Sequence, residues 1–134
     1  MSRYVTDTHA FVWHLQSSAK LSQSARTVFR EADAGANEIV VPSIVLVELV
    51  YLAERKRIEV ALVNRTFDAI SSVSVNYSVA PLDAAIARAL QDVDRDKVPE
   101  MPDRIIAATA KHLNLPVITR DSRISSSALV QVVW

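Results

Sequence analysis

Asp7, Glu48, Asp103 and Asp121 are the residues of this sequence whose types and settings best suit chemistry. Asp7 and Asp121 each come just after a short apolar run, Tyr4-Val5-Thr6 and Val117-Ile118-Thr119, and are expected beyond the ends of strands. An Asp so placed is commonly a turn or helix-capping residue, which accounts for each one taken alone. Asp103 directly follows Pro102 in what reads as the first turn of a helix. There a negative charge meets the positive end of the helix dipole, for a few tenths to ~1 kcal/mol. Glu48 is harder to explain structurally. It lies inside Ile44-Val45-Leu46-Val47-Glu48-Leu49-Val50-Tyr51-Leu52, a helix apolar nearly all round and therefore expected to be buried. An ionised carboxylate there is costly unless a cation, a basic partner or hydrogen bonds compensate it. Metal ligation and an ion pair with an arginine are both open for it. As a set, three acids at element ends and one in an apolar helix match the oxygen-only donors that Mg²⁺ or Mn²⁺ prefers.

The elements that must position these acids alternate along the chain. Tyr4–Thr6 reads as a strand ending at Asp7, and Phe11, Val12, Trp13 and Leu15 suggest a short helix. Ser22 is a plausible N-cap for a helix to Asp33, with Ala25, Val28, Phe29 and Ala32 at helical spacing. Glu38–Val41 is a second apolar strand closed by Pro42. Ser43 is a candidate cap for a helix to about Arg57, and Ile58–Val73 holds a fourth. A strand over Asn76–Ala80 leads to a helix opening at Pro81 or Leu82 and carrying Ala85, Ile86, Ala89, Leu90 and Val93. Asp94–Met101 reads as loop. Pro102 suits the first turn of a helix whose buried face is Ile105, Ile106, Thr109, Ala110 and Leu113. Pro116–Thr119 and Leu129–Trp134 are the last strands, with Ser125-Ser126-Ser127 as loop between them. The pattern predicts an α/β fold, one domain over residues 1–134, with a mainly parallel sheet whose carboxyl edge carries the site.

Composition excludes several chemistries. There are no cysteines, hence no disulfide, thiol nucleophile or cysteine-ligated metal, which fits a reducing cytoplasm. The only glycine is Gly35, whereas phosphate-cradling loops and dinucleotide fingerprints need several in one turn. No apolar signal segment follows the N-terminal residues, and the stretch Ile39–Ala53 is interrupted by Pro42, Ser43 and Glu48. A soluble protein with no membrane partner is therefore expected. Net charge is +0, so binding to a nucleic acid requires a local basic patch. Arg104, Lys111, Arg120 and Arg123 lie near the acids in sequence and are candidates for it, with charge balance of the acids as the alternative role. His9, His14 and His112 are not spaced as a ligand pair, and Trp13 reads as core.

Four segments in order, Asp7-Thr8-His9-Ala10-Phe11-Val12-Trp13, Pro42-Ser43-Ile44 with Glu48-Leu49, Pro102–Ala110, and Val117-Ile118-Thr119-Arg120-Asp121, resemble the motifs of PIN-domain ribonucleases. The likeness is strongest to the VapC toxins of prokaryotic toxin–antitoxin pairs and spans nearly the whole chain. It implies a three-layer α/β/α fold and a metal-dependent endoribonuclease. Asp7, Glu48, Asp103 and Asp121 then match the family's acidic positions for Mg²⁺ or Mn²⁺, and Thr8 and Thr119 match its supporting hydroxyl residues. Glu100 matches an additional acid of some members. Val47 departs from the large aromatic that many such toxins carry. The resemblance also implies an RNA substrate, a small VapB-like antitoxin and a homodimer. Two alternatives stand beside it. A haloacid-dehalogenase-like phosphatase calls for a second acid two residues after Asp7, where His9 stands; a catalytically silent interaction module would use the acids only to bind a basic partner.

Overall fold

The computed structural model describes residues 1–71 and 76–134. β1 (Ser2–Thr6), β2 (Asn37–Pro42), β3 (Tyr77–Ala80), β4 (Val117–Ile118) and β5 (Val132–Val133) form a five-stranded sheet of order β3-β2-β1-β4-β5, parallel throughout. Its helices are α1 (Thr8–Leu15), α2 (Gln23–Asp33), α3 (Ser43–Glu54), α4 (Val60–Ser71), α5 (Ala84–Ala89), α6 (Met101–Leu113) and α7 (Ser122–Ser126). A short 3₁₀ turn over Leu90–Asp92 continues α5. The expected α/β architecture is borne out.

Each strand is short and apolar because it is covered on both faces, as parallel strands joined by helices must be. Val5, Ile39, Val41, Val117 and Ile118 are all fully buried. A larger core joins these strands to Phe11, Phe29, Val45, Leu49 and Ile106; a smaller one, Ile86, Val93, Val98, Ala107, Ala108 and Ile124, lies among α5, α6 and α7. Successive strands step outward from β1 to β2 to β3, and the chain then returns to place β4 on the other side of β1. This reversal opens a crevice at the carboxyl ends of β1 and β4.

Local signals explain most boundaries. The Ser22 hydroxyl accepts from the Ala25 N–H at 3.1 Å and starts α2. Pro102 sits in the first turn of α6, and Asn114 ends that helix in the left-handed region at φ 55°. Elsewhere the structure departs from expectation. Ser43 does not cap α3; its hydroxyl donates to the Ala80 carbonyl, and Pro42 precedes the helix without a side-chain bond. The residue capping α5 is Asp83, accepting from the Ile86 N–H at 3.0 Å, so this helix opens later than Leu82. Ser125 and Ser126, expected as loop, end a short helical turn, Ser122–Ser126, which Asp121 caps. Residues 72 and 73, expected at the end of α4, lie outside the described residues.

α3 is not buried all round. Ile44, Val45 and Leu49 are buried and Leu46, Leu52 and Ala53 pack partly buried against the core, while Val47 and Tyr51 are 48% and 58% exposed. The helix packs against β2, α1, α4 and α6, and Val47, Val50 and Tyr51 form the exposed stripe that remains.

A polar cluster clasps α1, α2 and β3 together. The Tyr77 hydroxyl donates to Asp33 Oδ1 at 2.7 Å and lies 3.3 Å from His14 Nε2, and the His14 ring stacks on Phe29 at 4.3 Å.

Ile106, fully buried in the larger core, tests this packing. Ile106→Ala is expected to cost about 2–5 kcal/mol in urea unfolding, through reduced burial plus the cavity left behind.

Candidate active site

Pairing of β1 with β4 sets Thr6 opposite Ile118, so the next residues, Asp7 and Thr119, emerge side by side. The Asp7 N–H donates to the Ile118 carbonyl at 3.1 Å, which fixes the backbone there. Its Oδ1 accepts from the Ala10 N–H at 2.8 Å, capping α1, and its Oδ2 accepts from the Thr119 hydroxyl. The same Thr119 oxygen accepts from the Asp121 N–H at 2.9 Å, and Asp121 in turn caps α7 through the Arg123 N–H at 2.7 Å. Both aspartates are therefore the helix caps that their positions suggested. A carboxylate has about four lone-pair sites, so capping leaves oxygen lone pairs free for a further partner.

Asp103 enters from the first turn of α6, and Glu48 from the rim of the buried face of α3. The Thr8 hydroxyl donates to Glu48 Oε1, tying α1 to α3. All four acids, with Thr8, His9, Trp13 and Arg120, line one pocket of about 280 Å³. Glu48 is half-buried rather than enclosed, because the exposed side of α3 begins beside it.

Burial is the largest influence on two of these groups. It raises the pKa of Asp7, against which the Thr119 and Ala10 hydrogen bonds and nearby His9 act. Asp103 is pushed up to about 7, first by burial, then by the charge of Asp121 and a carboxyl hydrogen bond with it, and further by Asp7 and Glu48. Among the described residues, no lysine or arginine forms an ion pair with any of the four. An arginine partner for Glu48 is thereby absent from this set.

Nor do the acids form a finished cage: among the described residues, no three His, Asp or Glu side chains stand close enough to ligate one ion as placed. Their chemistry nevertheless suits a divalent cation. The donors are hard oxygens, they repel one another, and positive charge would relieve that repulsion.

The other sequence candidates scatter. Glu100 is exposed, precedes α6 without a side-chain capping bond and does not line the pocket. Arg104 follows Asp103 by one residue, about 100° around the helix, and so points elsewhere. Its Nη2 donates to the Leu90 and Val93 carbonyls at 2.9 and 3.2 Å, and its Nε is buried without a partner. Arg104 thus pins the end of α5 to α6 and is not available to a substrate. Lys111 lies eight residues along α6 from Asp103, about 12 Å away, and lines a separate cavity with Asn114 and Gln131. Arg123 is exposed on α7 outside the pocket. Only Arg120 of the four basic candidates reaches it, its guanidinium carbon 5.3 Å from the centre of the Trp13 ring. Sequence reasoning missed the role of Trp13, an aromatic one turn beyond His9 on the helix that Asp7 caps.

A model of the PIN domain family matches residues 4–128. This chain belongs to that family. Over 131 residues the PIN domain is 27% identical to a protein of Mycobacterium tuberculosis named Ribonuclease VapC22, covering 94% of this chain and 92% of the relative. Among solved structures it resembles VapBC2 of Rickettsia felis bound to a promoter DNA fragment, with a TM-score of 0.70 at 18% identity over 97% of this chain and 96% of that one. It also resembles DNA-bound VapBC of Salmonella typhimurium, with a TM-score of 0.67 at 19% identity over 98% and 97% of the two chains. Family and fold together leave the haloacid-dehalogenase-like alternative without support. No helix among the described residues is long and apolar enough to cross a membrane.

The raised pKa of Asp103 has a sign that can be measured in metal-free protein. Between its ordinary value of 3.8 and about 7, the folded state holds a proton that the unfolded state releases. Its contribution is therefore favourable in acid and is lost as pH rises through about 7. Comparing wild type with Asp103→Asn cancels the other titrating groups. The stability of wild type relative to the variant should fall by on the order of 2 kcal/mol between about pH 4 and pH 8, after discounting for partial solvent screening. Thermal melts across that range check it, and a flat difference would contradict the repulsive cluster.

Proposed function

We propose that this PIN domain is a metal-dependent endoribonuclease that hydrolyses RNA phosphodiester bonds, as the toxin of a type II toxin–antitoxin pair in the cytoplasm. The observation that carries the reading is the gathering of Asp7, Glu48, Asp103 and Asp121 at one pocket with no cationic side chain among the described residues paired to them. These four acids would hold Mg²⁺ or Mn²⁺. Bound there, such a cation supplies Lewis-acid charge against the phosphate and a water of lowered pKa, so no side-chain nucleophile is required.

The chain's own groups prepare the site. Thr119 donates to Asp7, favouring its ionised form, and Thr8 donates to Glu48 and fixes its direction. Burial of Asp7 and Thr119 limits water behind the reacting phosphate. Arg120 at the rim supplies positive charge for a substrate phosphate. The relative named a ribonuclease and the solved neighbours described as toxin–antitoxin complexes, from Klebsiella pneumoniae and Mycobacterium tuberculosis, support a toxin role.

The same acids are a receptor for a guanidinium, which binds carboxylates through two charge-assisted hydrogen bonds and stays protonated. A small VapB-like antitoxin would inhibit by placing an arginine there. Val47, Val50 and Tyr51 form an exposed apolar stripe on α3 beside Glu48, which supports pairing of two copies as a homodimer.

Purified protein should cleave RNA only with added Mg²⁺ or Mn²⁺ and stop in EDTA. Asp103→Asn should lose at least about a hundredfold in rate, as expected when charge stabilisation of the transition state is removed. Undiminished cleavage after exhaustive chelation would sink the metal reading, and failure to cleave any RNA with metal present would favour the silent module.

Metal should also raise the melting temperature of wild type, by the equivalent of ~2.7 kcal/mol at a hundredfold excess over its Kd. The toxin role is tested by inducing the chain with and without the product of the neighbouring gene. If growth is untouched and no small protein suppresses cleavage, that role fails while the nuclease stands.

A further inference from the structure

Trp13 stands between two cavities. One is the acidic pocket. The other, of about 460 Å³, is lined by Trp13, His14, Leu21, Arg26 and Arg30 among others. Lys20 Nζ lies 5.9 Å above the Trp13 ring, and the Arg120 guanidinium carbon lies 5.3 Å from its centre. Arg26 and Arg30 stand one turn apart on α2, and Arg26 donates to the Leu21 carbonyl at 3.1 Å, which steadies the loop before the helix. Four cationic side chains thus run in series from the acidic pocket over the indole and into the second cavity.

None of the four is neutralised. Among the described residues, Lys20, Arg26, Arg30 and Arg120 form no ion pair. Arg120 is the most informative, because it lines a pocket with four carboxylates and yet pairs with none of them. The face of Trp13 holds it instead. Asp33 lies on the wall of the second cavity, but its oxygens are engaged by the Tyr77 hydroxyl at 2.7 Å and by His14 Nε2 at 3.5 Å. A chain of net charge +0 has no general attraction for a polyanion, so a local row of unpaired cations is where phosphates would be bound.

On the ribonuclease reading above, on which this rests, we propose that single-stranded RNA leaves the acidic pocket across Trp13 and follows Arg120, Lys20, Arg26 and Arg30. Trp13 is a positioning residue. It keeps the Arg120 guanidinium off the carboxylates and turned toward a phosphate, and the second cavity takes the neighbouring nucleotide. RNA fits this row better than a protein segment does, because the successive phosphates of a strand match successive unpaired cations.

The test uses the Asp103→Asn protein, expected to bind without cutting, and a fluorescently labelled single-stranded RNA followed by anisotropy over a range of salt concentrations. Adding Lys20→Ala and Arg30→Ala should weaken binding roughly tenfold and flatten the slope of log affinity against log salt by ~1.4, about 0.7 for each phosphate left without its cation. Lys111→Ala should change neither. In the cleaving protein the same pair of substitutions should raise KM and leave kcat near its original value. Trp13→Leu should weaken binding, Trp13→Phe should restore most of it, and Trp13→Leu should add nothing once Arg120 is already alanine.

Unchanged affinity and slope in the Lys20/Arg30 variant, while its parent binds RNA, overturns the path and leaves the ribonuclease reading intact. Absence of both binding and cleavage in the parent and wild-type proteins overturns both. A variant that keeps its RNA affinity but escapes a protein inhibitor assigns the groove to that partner and also overturns the proposal.

Discussion

Parallel pairing of β1 with β4 is the constraint on which the rest of this molecule depends. Two strands running the same way end at the same edge, and their register places Asp7 beside Thr119. From there a single hydroxyl organises both neighbours: Thr119 donates to Asp7 and accepts from the backbone of Asp121. The acids are held by the chain and by hydrogen bonds rather than by countercharge. A fold of this kind can assemble mutually repelling groups only because its apolar strands and the α3 and α6 faces are buried firmly behind them.

Hydrogen bonding and the proposed metal site coincide at Asp7 and Asp121. Capping needs one lone pair of a carboxylate and leaves others free, so the structural and functional readings of these residues are the same geometry used twice. Asp103 differs. It has the acids of three other elements around it, and its proton affinity rises accordingly.

The acids were legible in the sequence because each sits where a local pattern changes: after an apolar run, after a proline, or within an apolar helix. The strands and α2 were legible for the same reason. What sequence could not supply was direction around a helix axis. Arg104 adjoins Asp103 in the chain and faces α5, a difference of one residue and about 100°. Val47 reads as core by composition but lies on the exposed stripe of α3, because the helix packs its other sides against β2, α1, α4 and α6. Lys20 and Trp13 come from different local elements, and their approach depends on how the loop after α1 folds back. The α7 turn was invisible because five polar-rich residues carry little helical signal; the Asp121 cap creates it. Whether Glu100 and Arg123 act at all is decided by surface placement, on which the sequence is silent.

The clasp among His14, Asp33 and Tyr77 bears on mechanical tolerance. α1 carries Thr8, His9 and Trp13 toward the acidic pocket and His14 toward the clasp, so the same eight-residue rod has a working side and an anchored side. With side chains included, a helix is about 10–12 Å across, so a roll of about 10° would carry a side-chain tip about 1 Å. Displacements of that size at a reacting centre cost on the order of a hundredfold in rate. The stacked His14–Phe29 pair and the tyrosine–aspartate bond resist such a roll from outside the acidic pocket, which neither His14 nor Asp33 lines. Drift in α2 or β3 sequences is thereby coupled to the alignment of the acids through torsion of α1, and residues outside the acidic pocket become part of that site's angular tolerance.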